Sequence, residues 1–412
     1  MLCIIAPLSD QLSGAQLNFL RVLRYATLFS KEYDELFKVI LLKTSRNLHP
    51  FLVEEIYNLL SASKKSPESK SNIEITSCEL KQGIKTFREW LISSATFGLS
   101  SVIRKCNSIF IGSGDLMDYS LTSLLHKILL KKSGDVRKSG ILLGNIVTGI
   151  VPHLALRDFN KALDVMIKCG LSKPTDVGVK KLFIDFVKVY KNYDIIVTPG
   201  LALTKILRTL NLGCEIIPFK RPTIPLMFRP PRKPYGDKPL VMGFASRYYP
   251  GKGLTLFMRI LNSLINKENV EKIVVIGVHE VTIRNKMRGF QNIEVYHALN
   301  PKKFAEVLST FDVLIYPSLI DSWAHIIPEA LALGVPVITC NVEPYATNFK
   351  DCKAVVKIPL NDAADASNII SDIISDPCKL HKLKQEAYNY ALRNFSPHHV
   401  VSEFLTILSY LK

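Results

Sequence analysis

Short runs of apolar residues, mostly Val, Ile and Leu, alternate along the chain with segments whose apolar positions recur every three or four residues. The short runs read as strands buried on both faces, and the longer segments as amphipathic helices packed over them. In the first half strands are expected at Leu2–Pro7, Phe37–Lys43, Asn72–Cys78, Ser108–Ile111, Gly140–Ile146, Asp194–Thr198 and Glu215–Pro218. Helices lie between most of them, among them Ala15–Phe29 and Tyr119–Lys132. A second series begins at Pro239–Ala245, with further strands at Lys272–Ile276, Ile293–Tyr296, Asp312–Tyr316, Val335–Thr339 and Ala354–Lys357. Helices are expected at Lys302–Ser309 and His325–Ala332, then at Asp362–Ile374, Lys379–Arg393 and Pro397–Leu411, the last opened by Ser396 as cap and Pro397 at the first helical position.

Between the two series, Phe219–Asp237 holds Pro222, Pro225, Pro230, Pro231 and Pro234 amid basic residues. That proline density interrupts any helix and suits a linker. The expected division is a first α/β domain over 1–220, a basic linker over 221–238, a second α/β domain over 239–395, and a C-terminal helix over 396–412 that could pack back on the first domain. Strands joined by helices in this order give the fold class α/β, with two doubly wound, Rossmann-like domains. A cleft between them is the natural place for a ligand.

Composition narrows the picture. With 412 residues, 48% hydrophobic and 22% charged, the chain is globular rather than disordered or fibrous. No uncharged run reaches membrane-spanning length. Met1–Leu8 lacks a basic leader and turns polar at Ser9–Asp10, so it reads as a first strand and not a signal peptide. The eight cysteines show no Cys-x-x-Cys pair, which argues against zinc and for buried free thiols in a reducing cytoplasm. The net charge of +17, concentrated in the first half, favours an anionic partner: nucleic acid, an acidic lipid surface or a phosphorylated substrate. Nucleic acid is disfavoured by the lack of an aromatic RNA-binding motif, a helix-turn-helix signature or a zinc finger.

Two segments carry candidate chemistry. Ala245–Gly253 follows a strand and opens a helix; Arg247 and Lys252 flank a Pro250-Gly251 turn, so both cations could meet one diphosphate. The alternative is a solvated turn. A P-loop is excluded because no glycine stands five before Gly251 and Gly253 occupies the Ser/Thr position. In Tyr316–Val337, a strand ends at Pro317, a loop carries Asp321 and a helix carries Glu329 before stopping at Gly334. Two carboxylates eight apart can hold hydroxyls at two points of one extended ligand, with the helix start near Ala324–Ile326 facing a phosphate between them. Glu329 taken alone reads as a surface or capping carboxylate.

Together these segments resemble the retaining glycosyltransferases of family 4, which have the GT-B fold. Arg247 to Lys252 matches that family's Arg-x4-Lys turn, Asp321 to Glu329 its E-x7-E element, and Ala330–Val337 its run ending in Gly-x-Pro-Val. Pro317-Ser318 resembles its Pro-Ser pair, and Ser13-Gly14 stands where the family has Gly-Gly after the first strand. The resemblance implies a metal-independent, retaining hexosyl transfer from a nucleotide-diphosphate sugar (UDP-, GDP- or ADP-linked) to a saccharide, lipid-linked or protein-glycan acceptor. The donor is a substrate, and no cofactor or metal is implied. Arg247 and Lys252 would neutralise the diphosphate, Asp321 would hold the transferred sugar and Glu329 the ribose. Gly277, His297, Ala298 and Leu299 would line the base pocket. Ser318, Ser322, Trp323, Ala324, His325 and Ile326 would line the rest of the donor site, and Gly14 would let the first-domain backbone approach. The chain departs from the family at Asp321, where Glu is usual, at Ala324, where Gly is usual, and at Ser13. No Asp-x-Asp occurs, in keeping with metal-free chemistry.

In the first half, Gly112, Asp115 and His153 are candidates for the acceptor side, each balanced by an ordinary turn or packed-histidine reading. Lys85–Lys105 reads either as an interfacial helix on anionic lipid, which would allow a peripheral place on the inner membrane face, or as a packed core helix. The cluster Lys127, Lys131, Lys132, Arg137, Lys138 reads as a solvated face. Rival functions are a nucleic-acid binder, a sugar-nucleotide epimerase and an inactive donor-binding scaffold.

Overall fold

The computed structural model describes residues 2–8, 14–29, 37–43, 50–63, 73–77, 106–112, 138–142, 190–191, 193–225, 228, 240–246, 250–264, 270–286, 292–297, 299–319, 321, 323–360 and 362–411. These described residues fall into two units, one formed by those up to Thr223 together with 397–411, the other by those from Ile224 to Ser396.

The first unit is built on a parallel sheet of seven strands: β1 (Leu2–Leu8), β2 (Phe37–Lys43), β3 (Ile73–Ser77), β4 (Ser108–Gly112), β5 (Lys138–Leu142), β6 (Ile195–Pro199) and β7 (Glu215–Phe219), in the order β3-β2-β1-β4-β5-β6-β7. Its described helices include α1 (Gly14–Phe29), α2 (Pro50–Ser63) and α3 (Leu201–Arg208). The second unit is a six-stranded parallel sheet: β8 (Leu240–Ala245), β9 (Val270–Ile276), β10 (Ile293–Tyr296), β11 (Val313–Tyr316), β12 (Val337–Cys340) and β13 (Val355–Ile358), in the order β10-β9-β8-β11-β12-β13. Around it lie α4 (Leu254–Leu264), α5 (Glu280–Lys286), α6 (Pro301–Leu308), α7 (Ile326–Ala332), α8 (Tyr345–Asn348), α9 (Ala363–Ile374) and α10 (Pro377–Phe395). A last helix, α11 (Pro397–Ser409), joins the first unit. In both sheets the winding reverses once, between β1 and β4 and between β8 and β11. Each unit is thus doubly wound, as the alternation of patterns requires.

The strands form where β-branched runs can be covered on both faces. All of β11 and β12 is buried, and α4 turns Leu254, Phe257, Ile260, Leu261 and Leu264 onto one face of the second sheet. Helix starts follow local chemistry: Asp362 accepts the N–H groups of Ala364 and Asp365, and Asp376, followed by Pro377, accepts those of Cys378 and Lys379. In the first unit Phe404 of α11 packs against Phe19, Phe110 and Phe219, with ring centres 6.0–6.3 Å apart.

Two features differ from the sequence reading. Cys3 and Cys106 form a disulfide. The expectation of free thiols fails there because β1 and β4 are neighbours, bringing Cα atoms 103 residues apart to 5.8 Å. Cys340 and Cys352 are buried free thiols, each pushed up to about 12 chiefly by burial, and so are poor nucleophiles. Cys78 and Cys169 lie outside the described residues. Second, the start of the proline-rich segment is tied to the first unit: Glu403 accepts the N–H groups of Lys220 and Arg221, and Asn18 accepts the N–H and hydroxyl of Thr223.

A buried ion pair braces the second unit. Lys384 of α10, only 3% exposed, pairs with Asp312, whose other oxygen accepts the Val241 N–H at 2.8 Å. Removing the cation strands a carboxylate at the start of β11. Lys384→Ala is expected to cost about 3 kcal/mol, below the upper range for buried pairs because Asp312 keeps some solvent contact. Urea unfolding of the two proteins reads this directly.

Candidate functional site

The reversal between β8 and β11 sends successive crossovers to opposite faces, so the carboxyl ends of these strands are where a crevice opens in such a sheet. Each strand is followed by one of the two segments singled out in the sequence. After β8 come Ser246, a single 3-10 turn at Pro250–Lys252, and Gly253. After β11 come Pro317, Ser318, Leu319, Asp321, Trp323 and Ala324, then α7.

The two loops touch along their backbones. The Leu319 N–H donates to the Gly251 carbonyl at 2.9 Å, and the buried Ser318 hydroxyl reaches the same oxygen at 3.4 Å. Gly253 has φ +78°, and a Cβ there would stand 1.9 Å from the carbonyl oxygen of Pro317. Both the left-handed backbone and the close approach require glycine.

This contact sets Lys252 beside Asp321. Lys252 is 8% exposed, and its ammonium pairs with the Asp321 carboxylate and donates to the Tyr316 hydroxyl at 3.0 Å. The Tyr316 hydroxyl in turn donates to Asp321 Oδ2 at 2.5 Å. The Tyr316 ring is buried, edge to face with Tyr345 at 6.2 Å, and Thr339 donates to its carbonyl at 2.8 Å. Burial first, and then the Asp321 charge, push the Tyr316 hydroxyl well above its ordinary value, so it stays a protonated donor. Lys252 and Asp321 were read from the sequence. Tyr316 was not, because an aromatic residue ending a buried strand looks like core.

Glu329 sits in the first turn of α7, half-buried, on the helix that directly follows the Asp321 loop. His325 precedes that helix, and Ile326 at its start packs partly against the core. Ala324 has φ +50°, the left-handed backbone that glycine accepts most readily. Trp323 is 5% exposed, and its ring lies edge to face with Phe349 and Phe395 at 5.7 and 6.3 Å. The side chain tethers the Asp321 loop to the core, because a large apolar ring gains more from burial than from exposure on a loop.

Along the same edge, Gly277 directly follows β9 with φ +87° and donates its N–H to the Tyr296 carbonyl at 2.7 Å. His297 follows β10, exposed, and its ring stacks on that of His279 at 3.7 Å. His279 was not singled out in the sequence; its partner comes from a different strand, and no local spacing signals it. Leu299 is partly buried against the core. In the first unit, Gly14 is the first residue of α1. Gly112 ends β4 and is buried; a Cβ there would stand 2.2 Å from the Phe19 ring. Packing against α1 thus accounts for a glycine here. Arg247, Ala298, Ser322, Asp115 and His153 lie outside the described residues, as do Tyr119–Lys132 and Lys85–Lys105. Among the described residues no group of three or more His, Cys, Asp or Glu could hold a metal ion, and no helix is long and apolar enough to cross a membrane.

A buried cation against a carboxylate, at the reversal point of a parallel sheet, offers one contact to an anionic group and one to a hydroxyl. Residues 229–390 match the family model of glycosyl transferases group 1. That stretch contains both loops. A D-inositol 3-phosphate glycosyltransferase from Rhodococcus opacus is 24% identical over 177 residues, 40% of either chain. The chain spans about 40% of the length of the curated relatives it matches. Sucrose-phosphate synthase from Thermosynechococcus elongatus superposes with a TM-score of 0.70 at 12% identity, covering 100% of this chain and 98% of that one. HepE from Anabaena, solved with UDP and glucose, gives 0.64 at 11% identity with both chains fully covered. At such identities the likeness establishes the fold, which is GT-B.

Proposed function

We propose that the chain is a retaining glycosyltransferase that moves a sugar from a nucleoside-diphosphate donor to an acceptor hydroxyl. The observation that carries the reading is the Lys252–Asp321 pair at the reversal point of the second sheet, inside the stretch that matches glycosyl transferases group 1. In this reading the bond between the anomeric carbon and the phosphate oxygen breaks. A new bond forms from the acceptor oxygen on the same face, and the acceptor proton passes to the departing diphosphate. Negative charge grows on the leaving phosphate, and Lys252 and Arg247 stabilise it. Asp321 orients the sugar through its hydroxyls, Glu329 holds the ribose, and Gly277 and His297 border the base. Metal independence rests on the absence of an Asp-x-Asp pair in the sequence. The saccharide, lipid-linked or glycan nature of the acceptor, and a peripheral place on the inner membrane face, are extensions of the same reading.

The test is a thermal-shift panel of UDP, GDP and ADP with UDP-glucose, GDP-mannose and ADP-glucose. UDP comes first because a structural relative was solved with it. At a hundred times Kd, binding adds about 2.7 kcal/mol, which raises Tm by about 5–10 °C for domains of this size. No shift with any of the six would overturn the reading. Release of nucleoside diphosphate only when an acceptor is added separates a transferase from an epimerase or an inert scaffold.

A further inference from the structure

We propose that Tyr316 is a positioning residue for this site: its hydroxyl decides which Asp321 oxygen faces the sugar. The inference rests on the function proposed above and goes beyond it, since Tyr316 heads the second segment but was given no role there.

The geometry is specific. A tyrosine hydroxyl has one proton, and here it goes to Asp321 Oδ2 at 2.5 Å, while its lone pairs face Lys252 Nζ at 3.0 Å. Lys252 also binds Oδ2. Both contacts therefore fall on one carboxylate oxygen and turn Oδ1 toward other partners. Of the three ammonium protons of Lys252, the two used on Tyr316 and Asp321 leave at most one for a phosphate. Aspartate is a short arm, so its reach toward a sugar depends on how it is held. Two donors on Oδ2 define that pose; a lone ammonium would let the carboxylate swing. The ring ends β11 in the core and its carbonyl is bound by Thr339, so the hydroxyl sits on a rigid element.

The variant is Tyr316→Phe, which keeps the ring in its place against Tyr345 and removes only the hydroxyl. Calorimetry compares UDP with UDP-glucose, GDP with GDP-mannose and ADP with ADP-glucose, in the full chain. For the pair that binds wild type, the preference for the sugar nucleotide over its bare diphosphate is expected to fall about tenfold, the loss of one charge-assisted hydrogen bond. Affinity for the bare diphosphate is expected to change less than about threefold. In an Asp321→Asn background the same change should have little further effect on that preference, because Tyr316 acts through the carboxylate. A merely structural role would lower both affinities together. Parallel losses, an unchanged preference, or independent losses in the double variant would overturn the inference while leaving the glycosyltransferase reading standing. Wild type binding none of the six would overturn both.

Discussion

Replacing Lys252 by alanine is expected to lower kcat/KM for the donor by about 10²–10³, the cost of losing one fixed charge contact to the group on which charge develops. The residue is 8% exposed and its ammonium is held by Tyr316 and Asp321, so it is placed before the donor arrives. A preorganised cation in a water-poor site does not reorganise during the reaction, which is why its loss falls on the transition state. Asp321 keeps the Tyr316 hydroxyl in the variant, so the second unit should stay folded, and circular dichroism checks this. Lys252→Arg should not restore the rate: the planar guanidinium has a different reach and hydrogen-bond geometry, and the space beside Tyr316 is built around an ammonium. Activity within threefold of wild type in Lys252→Ala would remove this residue from the site.

The Gly253→Ala change should act on fold and function together. An added methyl would lie 1.9 Å from the Pro317 oxygen, on backbone that has no flexible end to give way, and would meet a φ of +78°. The left-handed backbone costs about 1–2 kcal/mol for an alanine, and overpacking adds about 1–3 kcal/mol. Chemical denaturation should therefore show a loss of about 2–5 kcal/mol. The same push separates the loop carrying Lys252 from the one carrying Asp321, so nucleotide-sugar binding should weaken even where the protein remains folded. Gly213→Ala is the control: its φ of +76° imposes the backbone cost, but no atom lies within 4 Å of the added Cβ. A Gly253→Ala protein as stable as the Gly213→Ala one would show that the loops are not in tight contact.

The alternation of Val/Ile-rich runs with helical periodicity sufficed to predict two α/β series, and β2 and β10 have the expected bounds, Phe37–Lys43 and Ile293–Tyr296. These patterns are local, as are helix caps such as Asp362 and Asp376, so they survive in a linear reading. The same holds for the motif spacings that pointed to Lys252 and Asp321. What the sequence left open depends on strand order. That β8 lies beside β11 brings together side chains 69 residues apart, and that β1 lies beside β4 closes a disulfide across 103. Tyr316 and Trp323 are both aromatic residues near one motif, yet one turns its hydroxyl into the site and the other its ring into the core. Hydropathy treats them alike; only the packing around each chooses. The amino-acid sequence by itself determined the element order and pointed to the two charged residues. The tertiary structure alone decided the third member of the cluster and the glycine that lets its loops meet, because hydrogen bonds and backbone contacts act over a few ångströms of space, whatever their separation along the chain.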